Sequence, residues 1–274
     1  MEHFFAPVNG IRLHCVAEGR ADAPLMVFVH GFPEFWYCWH GQLEEFGKDH
    51  RAVAFDLRGH NLSDKPEGVA AYRPKPLMED LRQLIEHLQA GRDDKSCILV
   101  AHDWGGAIAW TFAAAFPQYV NKLVIINAPH TVPFARALAS DPAQQEASHY
   151  MLLLRHAKAE RVLEANNYER LLKMFSRTAD GHCALSDEEI PLYREAWSQP
   201  GALTCRGCSW ITQWLPSGMR LMRRSGTRSS SPSSSTVPSA VSASPQITSV
   251  GTRTVSAAGS ILSAAEPGSS GVGG

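Results

Sequence analysis

The feature that most constrains this chain is the stretch Cys97-Ile-Leu-Val-Ala-His-Asp-Trp-Gly-Gly-Ala-Ile-Ala-Trp110. It reads as a buried strand, a tight turn and an apolar-faced helix. Asp103 sits at the turn, where an unpaired buried carboxylate would cost several kcal/mol. This layout is that of a nucleophile elbow, in which a strained strand-to-helix turn lifts one side chain above the sheet, at the positive end of the next helix. Gly105 and Gly106 relieve crowding there, although Ala101 stands where such elbows usually carry glycine. The bland alternative is an aspartate that only caps the helix.

The same alternation runs along the first half of the chain. Ile11–Ala17 alternates as a strand with one wet face; Leu25–Val29, Arg51–Phe55 and Lys122–Asn127 are apolar enough to be covered on both faces. Pro76 opens a helix whose Leu77, Leu81, Leu84, Ile85 and Leu88 recur at helical spacing, and Gly91 stops it. Strands interleaved with helices predict a mostly parallel, doubly wound α/β sheet. His30-Gly-Phe-Pro33 and Asp56-Leu-Arg-Gly-His60 follow strands at the sheet edge where open α/β folds bind ligands. His30 in that setting reads as a loop-holding residue, and Asp56 with Arg58 as a structural ion pair.

From Thr131 the texture becomes helical, with Tyr150–Leu154, Arg161–Met174 and Ser186–Trp197 the clearest segments, which suggests a lid over the sheet edge. Ser186-Asp-Glu-Glu189 has the form of a capping box. About a third of residues 225–274 are serine and none is aromatic, so that segment cannot offset its ordering entropy and is expected to be disordered. Arg220, Arg223, Arg224 and Arg228 beside it read as part of a solvated tail. The expected organisation is a core over 1–130, a helical cap over 131–204 and an unrelated tail over 205–274.

With 274 residues, 44% hydrophobic, and a net charge of -1, the chain has a sizeable core but no electrostatic footprint for nucleic acid. Small molecules are the expected partners. The six cysteines are scattered, and Cys205-Arg-Gly-Cys208 has no second ligand pair, so neither a disulfide framework nor a metal site is expected. No apolar run spans a membrane and Met1-Glu-His-Phe-Phe is no signal peptide, giving a cytoplasmic expectation.

His30-Gly-Phe-Pro-Glu-Phe-Trp36, Asp56-Leu-Arg-Gly59 and Ala101-His-Asp-Trp-Gly-Gly106 together resemble the epoxide hydrolases of the α/β-hydrolase fold. Ser148-His-Tyr-Met151 and Ser198-Gln-Pro-Gly-Ala-Leu-Thr204 look most like the vertebrate type 3 and type 4 group, whose members are anchored at the endoplasmic reticulum. The likeness covers residues from about 10 to 204. His-Asn-Leu at 60–62 departs from the Tyr-Gly pair usual in that loop.

The resemblance implies Asp103 as the nucleophile that opens an epoxide, Phe32 and Trp104 amides as an oxyanion hole, and Tyr150 as one of two lid tyrosines polarising the epoxide oxygen. It implies substrate contacts from His30, Pro33 and Trp36, with no cofactor and no metal; the partners are a lipid or other small epoxide and water. A serine hydrolase is disfavoured because no G-x-S-x-G occurs, and a haloalkane dehalogenase would usually carry Asn at position 32.

The pattern then departs from the family. Its acid and base histidine follow the lid, yet here the last histidine is His182, the last aspartate Asp187, and the one acid after Cys205 is Glu266. No tyrosine follows Tyr193, and the last strands have no counterpart. The expectation is an epoxide hydrolase impaired in this form, against a non-catalytic truncated isoform or gene-model artefact.

Overall fold

The computed structural model describes residues 1–154, 158–175, 184–203, 254–255 and 261–262. The chain separates into two units, Met1–Leu221 and Met222–Gly274.

The first unit is built on a six-stranded sheet of order β1-β2-β4-β3-β5-β6. The strands are β1 (Glu2–Val8), β2 (Ile11–Glu18), β3 (Leu25–Val29), β4 (Arg51–Phe55), β5 (Cys97–His102) and β6 (Val120–Ile126). From β4 to β6 all pairings are parallel, as expected; β1 and β2 add antiparallel pairs at one end. β1 is the element that sequence patterning missed. Its signal was Asn9-Gly10, whose φ values of 46° and 75° make the tight two-residue turn that pairs Val8 with Ile11.

Helices cover both faces. α1 (His40–Phe46) and Trp39 pack on Met26, Phe28, Ala52 and Ala54, while α2 (Pro74–Leu88) and α3 (Trp104–Ala115) pack on Val27, Val29 and Val53. Alternate residues of β3 thus enter opposite cores, which is why Leu25–Val29 carries no polar side chain. Leu77, Leu81, Leu84 and Ile85 of α2 are buried, each contributing about 1.5–3 kcal/mol of apolar transfer. The helix starts at Pro74 rather than Pro76, because a proline is equally at home in the first turn.

After β6 the described chain is helical: α4 (Thr131–Ser140), α5 (Pro142–Ala147), α6 (Tyr150–Leu154), α7 (Ala159–Leu172) and α8 (Glu189–Ser198). Inside α7 the helix is interrupted where Asn166, Asn167 and Tyr168 take positive φ, asparagine being the residue that tolerates this best after glycine. Ser186 and Glu189 form the reciprocal capping box, each backbone N–H donating to the other's side chain at 2.9 and 3.3 Å. Among the described residues no helix is long and apolar enough to cross a membrane.

In the second unit β7 (Thr254–Val255) and β8 (Ile261–Leu262) pair antiparallel, regular backbone that serine-rich composition did not foretell. The rest of the expected disordered tail, with Cys205, Cys208 and the arginine cluster from Arg220 to Arg228, lies outside the described residues.

Candidate active site

The parallel neighbours β3 and β5 are in register, Val29 beside Ala101, so the loops leaving them meet above the sheet. Asp103 occupies the turn from β5 into α3 with φ 51° and ψ −121°, a backbone conformation costly for any residue with a Cβ. Its N–H donates to Ile126 O at 3.1 Å, extending the β5–β6 ladder by one bond and holding the turn in place. Two glycines let the pieces approach. A Cβ on Gly31 would lie 2.4 Å from Asp103 Oδ1, and one on Gly105 would lie 2.4 Å from the His30 carbonyl.

The result is a carboxylate facing a backbone donor. Phe32 N–H donates to Asp103 Oδ1 at 3.0 Å, a backbone donor aimed at one carboxylate oxygen. Asp103 and Trp104 line a cavity of about 360 Å³ together with Asn127, Phe134, Tyr150 and Met151. Tyr150 comes from α6 and is 39% exposed. Asp103, Trp104 and Tyr150, all implied by the family resemblance, line this one cavity. Phe134, Met151 and Asn127 were not foreseen, because cavity lining from a helical segment leaves no local motif.

His30, Pro33 and Trp36 are not in that lining. His30 is wholly buried; its Nδ1–H donates to Gly31 O at 2.7 Å and its Nε2 accepts from Leu57 N–H at 3.0 Å. Burial lowers its pKa to about 3, so the ring is neutral and its two nitrogens tie the β3 loop to the β4 loop. Pro33 faces α8, and Trp36 packs edge-on against His3 at 5.1 Å. Of the described histidines after the elbow, His130 caps α4 against Val132 N–H, and neither it nor His149 lines the cavity. His156 and His182 lie outside the described residues.

One expectation is overturned: Asp56 and Arg58 do not pair with each other. Asp56 accepts from Trp36 N–H, His14 Nδ1 and Asn61 Nδ2 at 2.9, 2.7 and 2.8 Å. Arg58 instead forks onto Asp80 of α2 and donates to Ala71 O. The chain leaving β4 presents the two side chains to different neighbours: Arg58 meets its counter-charge on α2, while Asp56 meets hydrogen-bond donors from β2 and the adjoining loops.

Glu34, two residues beyond Phe32, accepts from Tyr193 Oη of α8 at 2.5 Å. Burial raises its carboxyl to about 7 against the lowering effect of that hydrogen bond, with Asp103 and Glu189 adding to the rise. The pKa of His102, beside Asp103 in the chain, is pushed down by burial and partly restored by the Asp103 carboxylate.

Comparison with known proteins agrees with this geometry. The model of the alpha/beta hydrolase fold family matches residues 24–170. The AB hydrolase superfamily protein YfhM of Bacillus subtilis is 39% identical over 236 residues, which is 85% of this chain and 77% of that protein. Epoxide hydrolase 3 of Xenopus tropicalis is 41% identical over 201 residues, 72% of this chain and 54% of its own length. The chain therefore spans about half of that curated epoxide hydrolase. The crystal structure of Bacillus megaterium epoxide hydrolase in complex with an inhibitor superposes with a TM-score of 0.67 at 38% identity, covering 75% of this chain and 71% of that one. An elbow aspartate met by a loop amide above a parallel sheet and these likenesses have one reading: the chain belongs to the α/β-hydrolase fold, in its epoxide hydrolase family.

Proposed function

We propose that this protein opens lipid or other small epoxides by forming an ester on Asp103. The observation that carries the reading is the Phe32 N–H donating to Asp103 Oδ1 beside a cavity that Tyr150 also lines. A carboxylate oxygen of Asp103 attacks an oxirane carbon and the C–O bond of the ring breaks. Its electron pair stays on oxygen and takes a proton from the Tyr150 hydroxyl. Water then attacks the ester carbonyl carbon, the Phe32 and Trp104 amides bear the developing negative charge, the diol leaves as the Asp103 carboxylate is restored, and the proton the water releases returns to the Tyr150 oxygen.

The second step needs a base for the water, an effect worth about 10²–10⁴-fold. Among the described residues no histidine lines the cavity. Ester formation is therefore expected to outrun ester hydrolysis, leaving a long-lived adduct. Incubation with styrene oxide or an epoxy fatty acid followed by intact-mass measurement is expected to show one substrate mass added, absent in Asp103→Ala. Steady diol release over many turnovers would refute the trapped ester. Absence of any adduct or diol would favour the alternative, a non-catalytic form.

A further inference from the structure

The Phe32 amide sits midway along a loop whose two ends are fastened to the β4 loop. At one end His30 Nε2 accepts from Leu57 N–H, and at the other Trp36 N–H donates to Asp56. Between those anchors the loop touches α8. Trp197 Nε1–H donates to Pro33 O at 2.7 Å, and Tyr193 Oη–H donates to Glu34 at 2.5 Å. Tyr193 also stands edge-on against Phe35 at 5.0 Å, and Phe175 packs on both α8 aromatics. Both hydrogen bonds fall on the two residues that immediately follow Phe32, more than 150 positions away in sequence from their donors. Fixing a catalytic amide to a fraction of an ångström requires that the backbone beside it have no freedom of its own.

We propose that Tyr193 and Trp197 are positioning residues for the Phe32 amide, so that α8 sets where the oxyanion donor meets Asp103. This rests on the Asp103 reading for its chemical consequence, and on the hydrogen bonds alone for its structural one. Glu34 is the relay: it faces Tyr193 and Glu189 of α8, Asp103 at the elbow, and Cys38 just beyond the loop. Neither aromatic is in the lining of the Asp103 cavity. Their effect passes through the loop backbone.

The test uses the full chain, with hydrogen exchange read at Phe32 N–H and Leu57 N–H, and alkylation of Asp103 by styrene oxide read by intact mass. In Tyr193→Phe with Trp197→Phe, Phe32 exchange is expected to speed up about 30-fold, as for loss of two ordinary hydrogen bonds. Leu57, held by His30, keeps wild-type exchange. The maximal alkylation rate falls about as much, with the half-saturating styrene oxide concentration unchanged. Glu34→Gln keeps an acceptor for Tyr193 and keeps wild-type exchange at Phe32, whereas Glu34→Leu behaves like Tyr193→Phe. Unchanged Phe32 exchange in the double variant, or equal acceleration at Phe32 and Leu57, overturns the proposal. If wild-type protein is not alkylated at all, the Asp103 reading fails, and the exchange data still decide the positioning role.

Discussion

Asp56 and Asp103 are aspartates at the carboxyl ends of neighbouring parts of one sheet, yet their surroundings are opposite. Asp56 is fully buried and saturated, with a backbone donor, an imidazole and an amide on its two oxygens. Asp103 sits on strained backbone at the wall of a cavity, with one oxygen held by Phe32. The difference teaches that acidity in a buried loop carries no chemical meaning by itself. What separates structure from reactivity is whether the fold spends its donors on silencing the carboxylate or on aiming it.

Replacing each aspartate in turn should break the comparison cleanly. Asp103→Gly is expected to abolish alkylation while leaving stability equal or raised by up to about 1 kcal/mol, since relief of the positive φ offsets the lost Phe32 hydrogen bond. Intact mass and urea unfolding on one sample read both. Asp56→Ala is expected to cost about 3–5 kcal/mol, because His14, Asn61 and the Trp36 amide lose their partner in a dry site. A loss below 1 kcal/mol in urea titration would mean that water replaces the carboxylate. Gly31→Ala sharpens the contrast from the loop side: its methyl would lie on Asp103 Oδ1, and alkylation should slow by about 100-fold, the usual consequence of a displacement near 1 Å.

The smallest effect concerns pH, and it sets two loop residues against each other. His30 holds a folded pKa of about 3 against 6.5, so the unfolded chain takes up a proton that the folded chain refuses, and its contribution to stability falls as pH drops from 6.5 towards 3. Glu34, at about 7 against 4.5, keeps its proton longer in the folded chain, so its contribution is present below 4.5 and is lost as pH rises through 7. Each slope is at most about 1.4 kcal/mol per pH unit, and between 4.5 and 6.5 they oppose. Unfolding midpoints across that window should show His30→Gln less stable at higher pH and Glu34→Gln less stable at lower pH, relative to wild type. Parallel shifts in the two variants would contradict the assignment.

Much of the frame was legible because it is local. Continuous apolar runs mark strands covered on both faces, and the helical spacing of Leu77, Leu81, Leu84 and Ile85 marks the face of α2. The elbow was legible for the same reason, as strand, acid, glycine and helix are adjacent in the chain. β1 was overlooked although Asn9-Gly10 announces it. The partners of Asp56 and Arg58 were beyond reach, since proximity in sequence suggested each for the other while the fold supplies His14 and Asp80. So was the meeting of Tyr193 with Glu34, which no periodicity records.

The in-register pairing of β3 with β5 also bears on how the chain acquires reactivity in time. The β1–β2 hairpin needs only a two-residue turn and is available early, whereas Phe32 and Asp103 are 71 residues apart and meet after a long loop has closed and two parallel strands have zipped together. No partly folded chain that lacks this pairing can carry the aimed carboxylate. If Asp103 reacts as proposed, a growing or refolding polypeptide gains that reactivity only when its central sheet is assembled, and the first covalent label on Asp103 would mark the moment of that assembly.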